Sequence, residues 1–486
     1  MLTLSHVLEA LTGVPLAGGR QVVTDAVIDS RLAIPGALFV ALAGERTDGH
    51  RFVGAAFEKG AVAALVQQDD LGGEFYTLDL REPVTFDMAA GFRIPVCLRV
   101  ADTLSALHKV AGYWRSRLSL RVVGITGSVG KTTTKEMIAA VLGTRFRTLK
   151  SEGNFNNEIG LPLSLLRLTE AHERAVLEMG FYEVGEIALL CSLARPHVGV
   201  INNVYPVHLE RAGSIEAIAR GKGELLEALP PAPDGVAILN FDEPLVMGLA
   251  PRTRARVMTY GLDPQADVWA SDVEGLGLDG IRFQLHFAPT RETLHIRFPM
   301  LGRHSVHTAL RAVAVGLTEG LTWQEIVEGL QGIEARSQLR LYAVTGPGGS
   351  LILDDSYNAS PESMIAALNL LHEMDARRRV AVLGDMLELG EYETVGHRLV
   401  GKRAADVADE LVTIGKRAEV IAAEAESAGL SARHIVRLGD RDEAQAYLQQ
   451  SLREGDVVLV KGSHGMRLDR MVNALEVAAD SAGRPA

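Results

Sequence analysis

The chain is poor in cysteine and has no excess of positive charge. Only Cys97 and Cys191 occur in 486 residues. That is too few for a disulfide framework and gives no metal-binding spacing, which fits a reducing compartment. A formal charge of −12 argues against a general nucleic-acid binder, because a phosphate backbone is repelled outside any local basic patch. No apolar run approaches the roughly 18 residues of a membrane span. The first residues, MLTLSHVLEAL, lack the basic start and small-residue cleavage site of a secretory leader. A cytoplasmic protein with neither nucleic-acid nor membrane partners is therefore expected. What is present is ordinary globular material, 47% hydrophobic and 23% charged. The length exceeds what a single core can organise and predicts about three domains.

Short strand-like runs between Val22 and Val66 (VVTDAVIDS, ALFVAL, AVAALV) alternate with turns at Pro35-Gly36 and Asp48-Gly49. The polar stretch around Gly72–Arg93 reads as a loop or insertion, and Thr103–Leu118 is apolar at helical spacing. A boundary near residue 118 is natural. Strand–helix alternation follows, with nearly continuous apolar strands VVGIT, AVLEM, VGVINNV and VAILN, as in a mostly parallel sheet covered on both faces. Between Arg256 and Met300 the pattern becomes alternating, and DVWASDV and IRFQLHF predict antiparallel strands. Helices are predicted at His304–Leu317 and Trp323–Leu330. Beyond the polar junction at Arg336–Arg340 the alternation restarts with LILDDSY, RVAVLGD, ELVTIG, HIVRLGD and DVVLVKGS. The expected class is α/β throughout.

The segment RVVGITGSVGKTTTKEM, Arg121 to Met137, carries the most chemistry. An apolar run, a glycine turn and Lys-Thr-Thr-Thr opening a helix form a cradle for polyphosphate. N–H groups freed at Gly127 and Gly130 can wrap phosphate oxygens where the helix dipole adds positive potential. Lys131 can reach the outer phosphates and the Thr132 hydroxyl can hold magnesium. A strict phosphate-loop pattern needs glycine at 125, where this chain has Ile125; Gly124 lies one residue early. ATP or GTP binding is the expectation.

Nucleotide-bound magnesium needs a carboxylate beyond that loop. AVLEMG delivers Glu178 at a strand's C-terminal end, the edge where open α/β sheets bind ligands. His208, in NVYPVHLE past another strand end, could ligate a metal, touch a phosphate or simply belong to the loop. Asn154, Asn156 and Asn157 suit a turn or hydrogen bonds to a polar substrate. Lys222 reads as an ordinary helix lysine. Asp354, Asp355, Ser356 and Asn358 in DDSYNASP crowd a further sheet edge, and Ser360-Pro361 supplies the following helix with its cap. Lys461 and Ser463 in KGSHGM are placed to meet an anionic group.

Taken in order, GITGSVGKTTTKE, NFNNEIGLPLSLL, LEMG with GEI, NVYPVHLE, GKGELLEAL, DDSYNASP, GDMLELG and KGSHGM resemble the Mur ligases of peptidoglycan synthesis almost end to end. The Asp29–Arg31 segment DSR, followed by PGALFVALAGERTDGH, resembles the part with which that family holds a uridine nucleotide, and so implicates Ser30 and Arg31. The resemblance implies three domains: a small α/β domain at 1–118 for the UDP-MurNAc-peptide, a central P-loop ATPase at 119–337 with a mostly parallel sheet, and a Rossmann-like domain at 338–486. The last would bind D-Ala-D-Ala and close on ATP. It further implies a monomer that joins D-Ala-D-Ala to UDP-MurNAc-tripeptide through an acyl phosphate, with ATP and Mg2+.

By the same resemblance, Gly127, Ser128, Gly130, Lys131, Thr132 and Thr133 bind ATP, joined by Asn157, His304 and Asp355. Magnesium falls to Thr132, Glu178, His208 and Lys222, the last as a carbamylated lysine. Lys131, Glu178, His208 and Lys222 form the implied catalytic set, while Asn154, Asn358, Lys461 and Ser463 face substrate. Three departures stand out. Ser305 and Thr308 in RHSVHTA replace the family's asparagines near adenine. His464 replaces an arginine, so a titratable group stands for a permanent cation. At the last inter-domain hinge either Arg336 or Gln338 occupies the usual arginine position.

Other readings remain. A sister ligase adding a single third amino acid to UDP-MurNAc-dipeptide usually carries an Asp-Asn-Pro-Arg segment, absent here. Folylpolyglutamate synthetase shares the architecture but not the DSR…DGH region. A nucleotide-dependent switch would hydrolyse slowly and without small substrates.

Overall fold

The structure, a computed structural model, describes residues 1–14, 20–44, 47–82, 93–207, 209–332 and 341–477. Three sheets follow one another along the chain. The first has five parallel strands in the order Ala26–Val27, Leu38–Val40, Ala63–Val66, Val96–Arg99, Thr77–Asp79. The strand Thr77–Asp79 corrects the reading of Gly72–Arg93 as plain loop. It is a half-buried edge strand, without the continuous apolar run that marks its neighbours; residues 83–92 of that stretch lie outside the described residues.

The central sheet has nine strands. Arg121–Thr126 lies between Arg174–Glu178 and Val198–Ile201, all parallel. These strands are apolar on both faces because helices cover both. Val268–Gly275 joins the sheet parallel to Arg256–Gly261, and Ile281–Phe287 and Glu292–Phe298 then extend it antiparallel, as the alternating pattern of that stretch predicts. The predicted helices form at Val306–Thr318 and Trp323–Gln331. The last sheet has six strands, parallel except for the edge strand Tyr342–Thr345. The junction residues Arg336 and Gln338 lie outside the described residues.

Helix Thr103–Ser116 ties the first sheet to the second. Its Trp114 is 1% exposed and donates from Nε1 to the Leu168 carbonyl at 2.8 Å. Its buried Arg115 donates to the carbonyls of Ala194, Leu118 and Leu120. Among the described residues no helix is long and apolar enough to cross a membrane.

Candidate functional site

The C-terminal end of strand Arg121–Thr126 turns through Gly127 and Gly130 into helix Lys131–Gly143. Both glycines have positive φ, 153° and 79°. A Cβ on Gly127 would stand 2.7 Å from Asn202 Cβ, so close approach to the neighbouring strand end requires glycine there. The loop is supported from that strand end. Val129 N–H donates to Asn203 Oδ1 at 2.9 Å, and Asn202 Nδ2 donates to Val129 O and Thr134 Oγ1. Ser128 Oγ donates to Tyr205 O and accepts from Tyr205 N–H. Buried Arg311 donates to Thr134 Oγ1 at 3.1 Å and to Tyr260 Oη at 2.7 Å, placing a cation beneath the loop.

Lys131 folds back on the loop, its Nζ 2.9 Å from Gly127 O and 3.4 Å from Ser128 O. Thr132 Oγ1 donates to Glu178 Oε2 at 2.8 Å, and Asn156 Nδ2 donates to Glu178 Oε1 at the same distance. Glu178 is 1% exposed. A hydroxyl and a carboxylate are thus joined at the mouth of the phosphate cradle. Both are hard oxygen donors of the kind magnesium takes when nucleotide phosphates supply further ligands. Among the described residues no cluster of three or more His, Cys, Asp or Glu side chains could hold a metal by itself.

Lys222 is not an ordinary surface lysine. It is 2% exposed on helix Ile215–Glu227, with Phe181 above its ammonium at 5.1 Å. Burial first, and then the charge of Lys131, push its pKa well below the usual lysine value. No carboxylate among the described residues pairs with it. The flanking glycines explain the packing. A Cβ at Gly221 would lie 1.9 Å from a Phe181 ring carbon, and one at Gly223 would lie 2.0 Å from Arg252 Nη1. Two glycines inside a helix are costly, and GKG was the signal in the sequence that this lysine is closely packed.

In the last domain, strands Leu351–Asp355 and Asp456–Lys461 run side by side. Lys461, 2% exposed, donates to Asp355 Oδ2 at 2.6 Å and to Asn358 O at 2.9 Å. Ser463 Oγ accepts from Leu387 N–H at 2.9 Å, which leaves its own O–H as a donor on the cleft wall. Exposed His464 faces the Tyr357 ring at 5.5 Å.

One cleft of about 1240 Å³ collects most of these groups. Ser128, Gly130, Lys131, Thr133, Asn154 and Glu178 line its central side, with His304 beside them; Asp355, Asn358, Lys461 and Ser463 line the facing wall. His304 is open to the cleft yet surrounded by protein. Burial, then the charge of Lys461, push its imidazole down to about 4, so it is neutral near pH 7. Ser305 and Thr308 also line the cleft, but Ser305 Oγ is turned to the carbonyls of Met300 and Gly302.

Several expected residues stand elsewhere. Asn157 Oδ1 accepts from Ile159 and Gly160 N–H, capping the start of helix Gly160–Leu166; its neighbour Asn156 is the one that reaches Glu178. Ser30 and Arg31 are not on the cleft. Ser30 is buried in a 3-10 turn capped by Asp29, and Arg31 pairs with Asp29 at 2.6 Å. Hydrogen bonds from Arg31 hold the Asp29 carboxyl at about 2. His208 lies outside the described residues. Sequence reasoning missed Tyr182 and Glu388, which line the same cleft, and Arg311.

Comparison with known proteins agrees with this geometry. Residues 125–316 match the Mur ligase middle domain, 339–464 the glutamate ligase domain of Mur ligases, and 23–82 the Mur ligase family catalytic domain. The chain is 37% identical over 458 residues to the UDP-N-acetylmuramoyl-tripeptide–D-alanyl-D-alanine ligase of Bacillus subtilis, covering 94% of both chains. It is 36% identical to the protein of that name from Escherichia coli, covering 98% of each. Its fold is similar to MurF from Acinetobacter baumannii, with a TM-score of 0.80 at 29% identity over 97% of this chain and 98% of that one. It is also similar to MurF from Thermotoga maritima in complex with ADP, with a TM-score of 0.76 at 27% identity over 96% and 98%. The chain belongs to the Mur ligase family.

Proposed function

We propose that the chain is the ATP-dependent, ADP-forming ligase that joins D-Ala-D-Ala to UDP-N-acetylmuramoyl-tripeptide, a cytoplasmic step of peptidoglycan synthesis. The observation that carries this reading is the single cleft in which the phosphate loop, Glu178 and the Asp355–Lys461 pair face one another. Relatives named for this reaction along nearly their whole length support it.

Two anions, a peptide carboxylate and a triphosphate, must meet, so cations and N–H donors have to stand between them. The loop amides and Lys131 take the phosphates, Lys131 leaving the carbonyls it now touches. Thr132 and Glu178 would hold magnesium, with His208 and a carbamylated Lys222 as further ligands. Bound there, the ion would offset charge developing on the transferred phosphoryl group. A neutral buried amine is the form of lysine that adds to carbon dioxide and releases a proton, which is why the Lys222 environment suits a carbamate.

The tripeptide carboxylate oxygen attacks the γ-phosphorus and ADP leaves. The dipeptide amine then attacks the acyl carbon, and phosphate departs with that oxygen. Residues 1–118 hold the UDP-sugar, with Ser30 and Arg31 at its nucleotide. Residues 338–486 bring D-Ala-D-Ala against the central domain and exclude water from the acyl phosphate. The enzyme works as a monomer.

The test is the substrate dependence of ADP release with ATP and Mg2+. ADP should form only when UDP-MurNAc-tripeptide and D-Ala-D-Ala are both present. Release with a single free amino acid on UDP-MurNAc-dipeptide, or with neither substrate, would overturn the assignment.

A further inference from the structure

We infer that a second cavity, at the end of the central sheet away from the phosphate loop, binds a phosphate group, free or on a small molecule, through Arg115, Arg195 and His197. Its volume is about 1070 Å³, and it shares no residue with the cleft. Arg121, Arg174 and His197 line it and stand at the starting ends of three neighbouring strands, Arg121–Thr126, Arg174–Glu178 and Val198–Ile201. The phosphate loop follows the other end of the first of these, roughly 20 Å away along six extended residues.

Two cations here lack a counter-ion. Arg115 is 4% exposed and donates only to main-chain carbonyls, those of Ala194, Leu118 and Leu120. Among the described residues no carboxylate pairs with it, and a buried charge is costly unless paired. Burial, then the charge of Arg195, push its pKa down to about 10. Three of its five N–H groups are used and two remain. Arg195 is exposed, and its guanidinium has no hydrogen bond or ion pair among the described residues. It ends helix Glu186–Ala194 in the left-handed conformation, with φ 51°, where glycine is usual. His197 Nδ1 accepts from Val122 N–H at 3.3 Å, which leaves the ring proton on Nε2 as a donor. Burial, then the charges of Arg121 and Arg115, lower its pKa, so the imidazole is neutral.

The other charged groups of the cavity are engaged. Arg121 and Arg174 share the single carboxylate of Glu319, at 2.9 and 2.6 Å. Glu224 accepts from Gly185 and Ala188 N–H, and Glu173 from Arg147 N–H. Glu227 pairs with Arg252. What is spare is positive charge and N–H donors, so the matching ligand carries negative charge and several acceptors. A phosphate has oxygens enough for two guanidinium groups and an imidazole, whereas a carboxylate has only two. The volume leaves room for a substituent on the phosphate.

The experiment is thermal unfolding of the full chain with the phosphate loop filled by Mg-ADP, in sodium phosphate, glycerol phosphate or sodium chloride at equal ionic strength. Saturating phosphate should raise the melting temperature of the first two domains by about 3 °C over chloride. Arg195→Gly, which suits the left-handed backbone, should lose that rise, and Arg195→Lys should keep part of it. Lys131→Ala, at the phosphate loop, should keep it in full. No rise in wild type, a rise that survives in Arg195→Gly, or one that disappears in Lys131→Ala would each overturn the site. A shift with glycerol phosphate at least equal to that with inorganic phosphate assigns a monoester; a smaller one assigns free phosphate. None of these readouts depends on ligase activity.

Discussion

The first and second sheets share one buried core, running from Leu4 and Leu38 through Trp114 to Leu177 and Leu225. The last sheet keeps two cores of its own, around Leu371 and Val458, and faces the central domain across a cleft lined by both. The contrast assigns different duties to the two junctions. A continuous apolar core fixes how the first domain meets the phosphate loop. An open cleft, not a shared core, separates the last domain from the phosphate loop.

The largest expected effect breaks the shared core. Trp114→Ala should cost about 3–5 kcal/mol and lower the melting of the first two domains together, followed by calorimetry. Leu371→Ala, in a fully buried position of the last domain, should instead lower only a separate transition. Next comes the central wall of the cleft. Lys131→Ala should reduce ADP formation on the order of 100- to 1000-fold with an unchanged melting temperature. Lys222→Ala should be severely impaired and partly recovered by added short carboxylic acids; no recovery would argue against a carbamate.

Asn156→Ala removes a partner that orients Glu178 and should raise the magnesium requirement about 10- to 100-fold, read from ADP formation against Mg2+ concentration. The smallest effect is His304→Gln. The folded imidazole titrates near 4 and an unfolded one near 6.5. The unfolded state therefore binds more protons in that window, and stability falls as pH drops from 6.5 toward 4. The substitution should flatten part of that fall in melting temperature between pH 7 and 4.5.

Much of the fold is legible because buried parallel strands are apolar on both faces, which is how Arg121–Thr126, Arg174–Glu178 and Asp456–Lys461 stand out. Edge strands carry no such mark. Thr77–Asp79, Thr148–Lys150 and Tyr342–Thr345 are half or largely exposed, and their pairing is set by neighbours distant in sequence. At the site, spacing located the phosphate loop and Glu178, since both follow directly from strand ends. It does not distinguish Asn156 from Asn157, because which of two adjacent side chains turns toward Glu178 depends on the loop's backbone. Ser463 is a similar case. It lies beside the expected anion position, and its hydroxyl oxygen also holds the turn that carries Glu388. That turn's left-handed residue, Glu388 with a φ of 64°, has no signature in GDMLELG, since glutamate carries no preference for it.

The account turns on a peptide carboxylate being phosphorylated at the central wall of the cleft before an amine captures the acyl group. Tripeptide labelled with 18O in its terminal carboxylate tests this directly. Each amide bond formed should send one labelled oxygen into the released phosphate. Phosphate free of label, with amide formed at the normal rate, would contradict it.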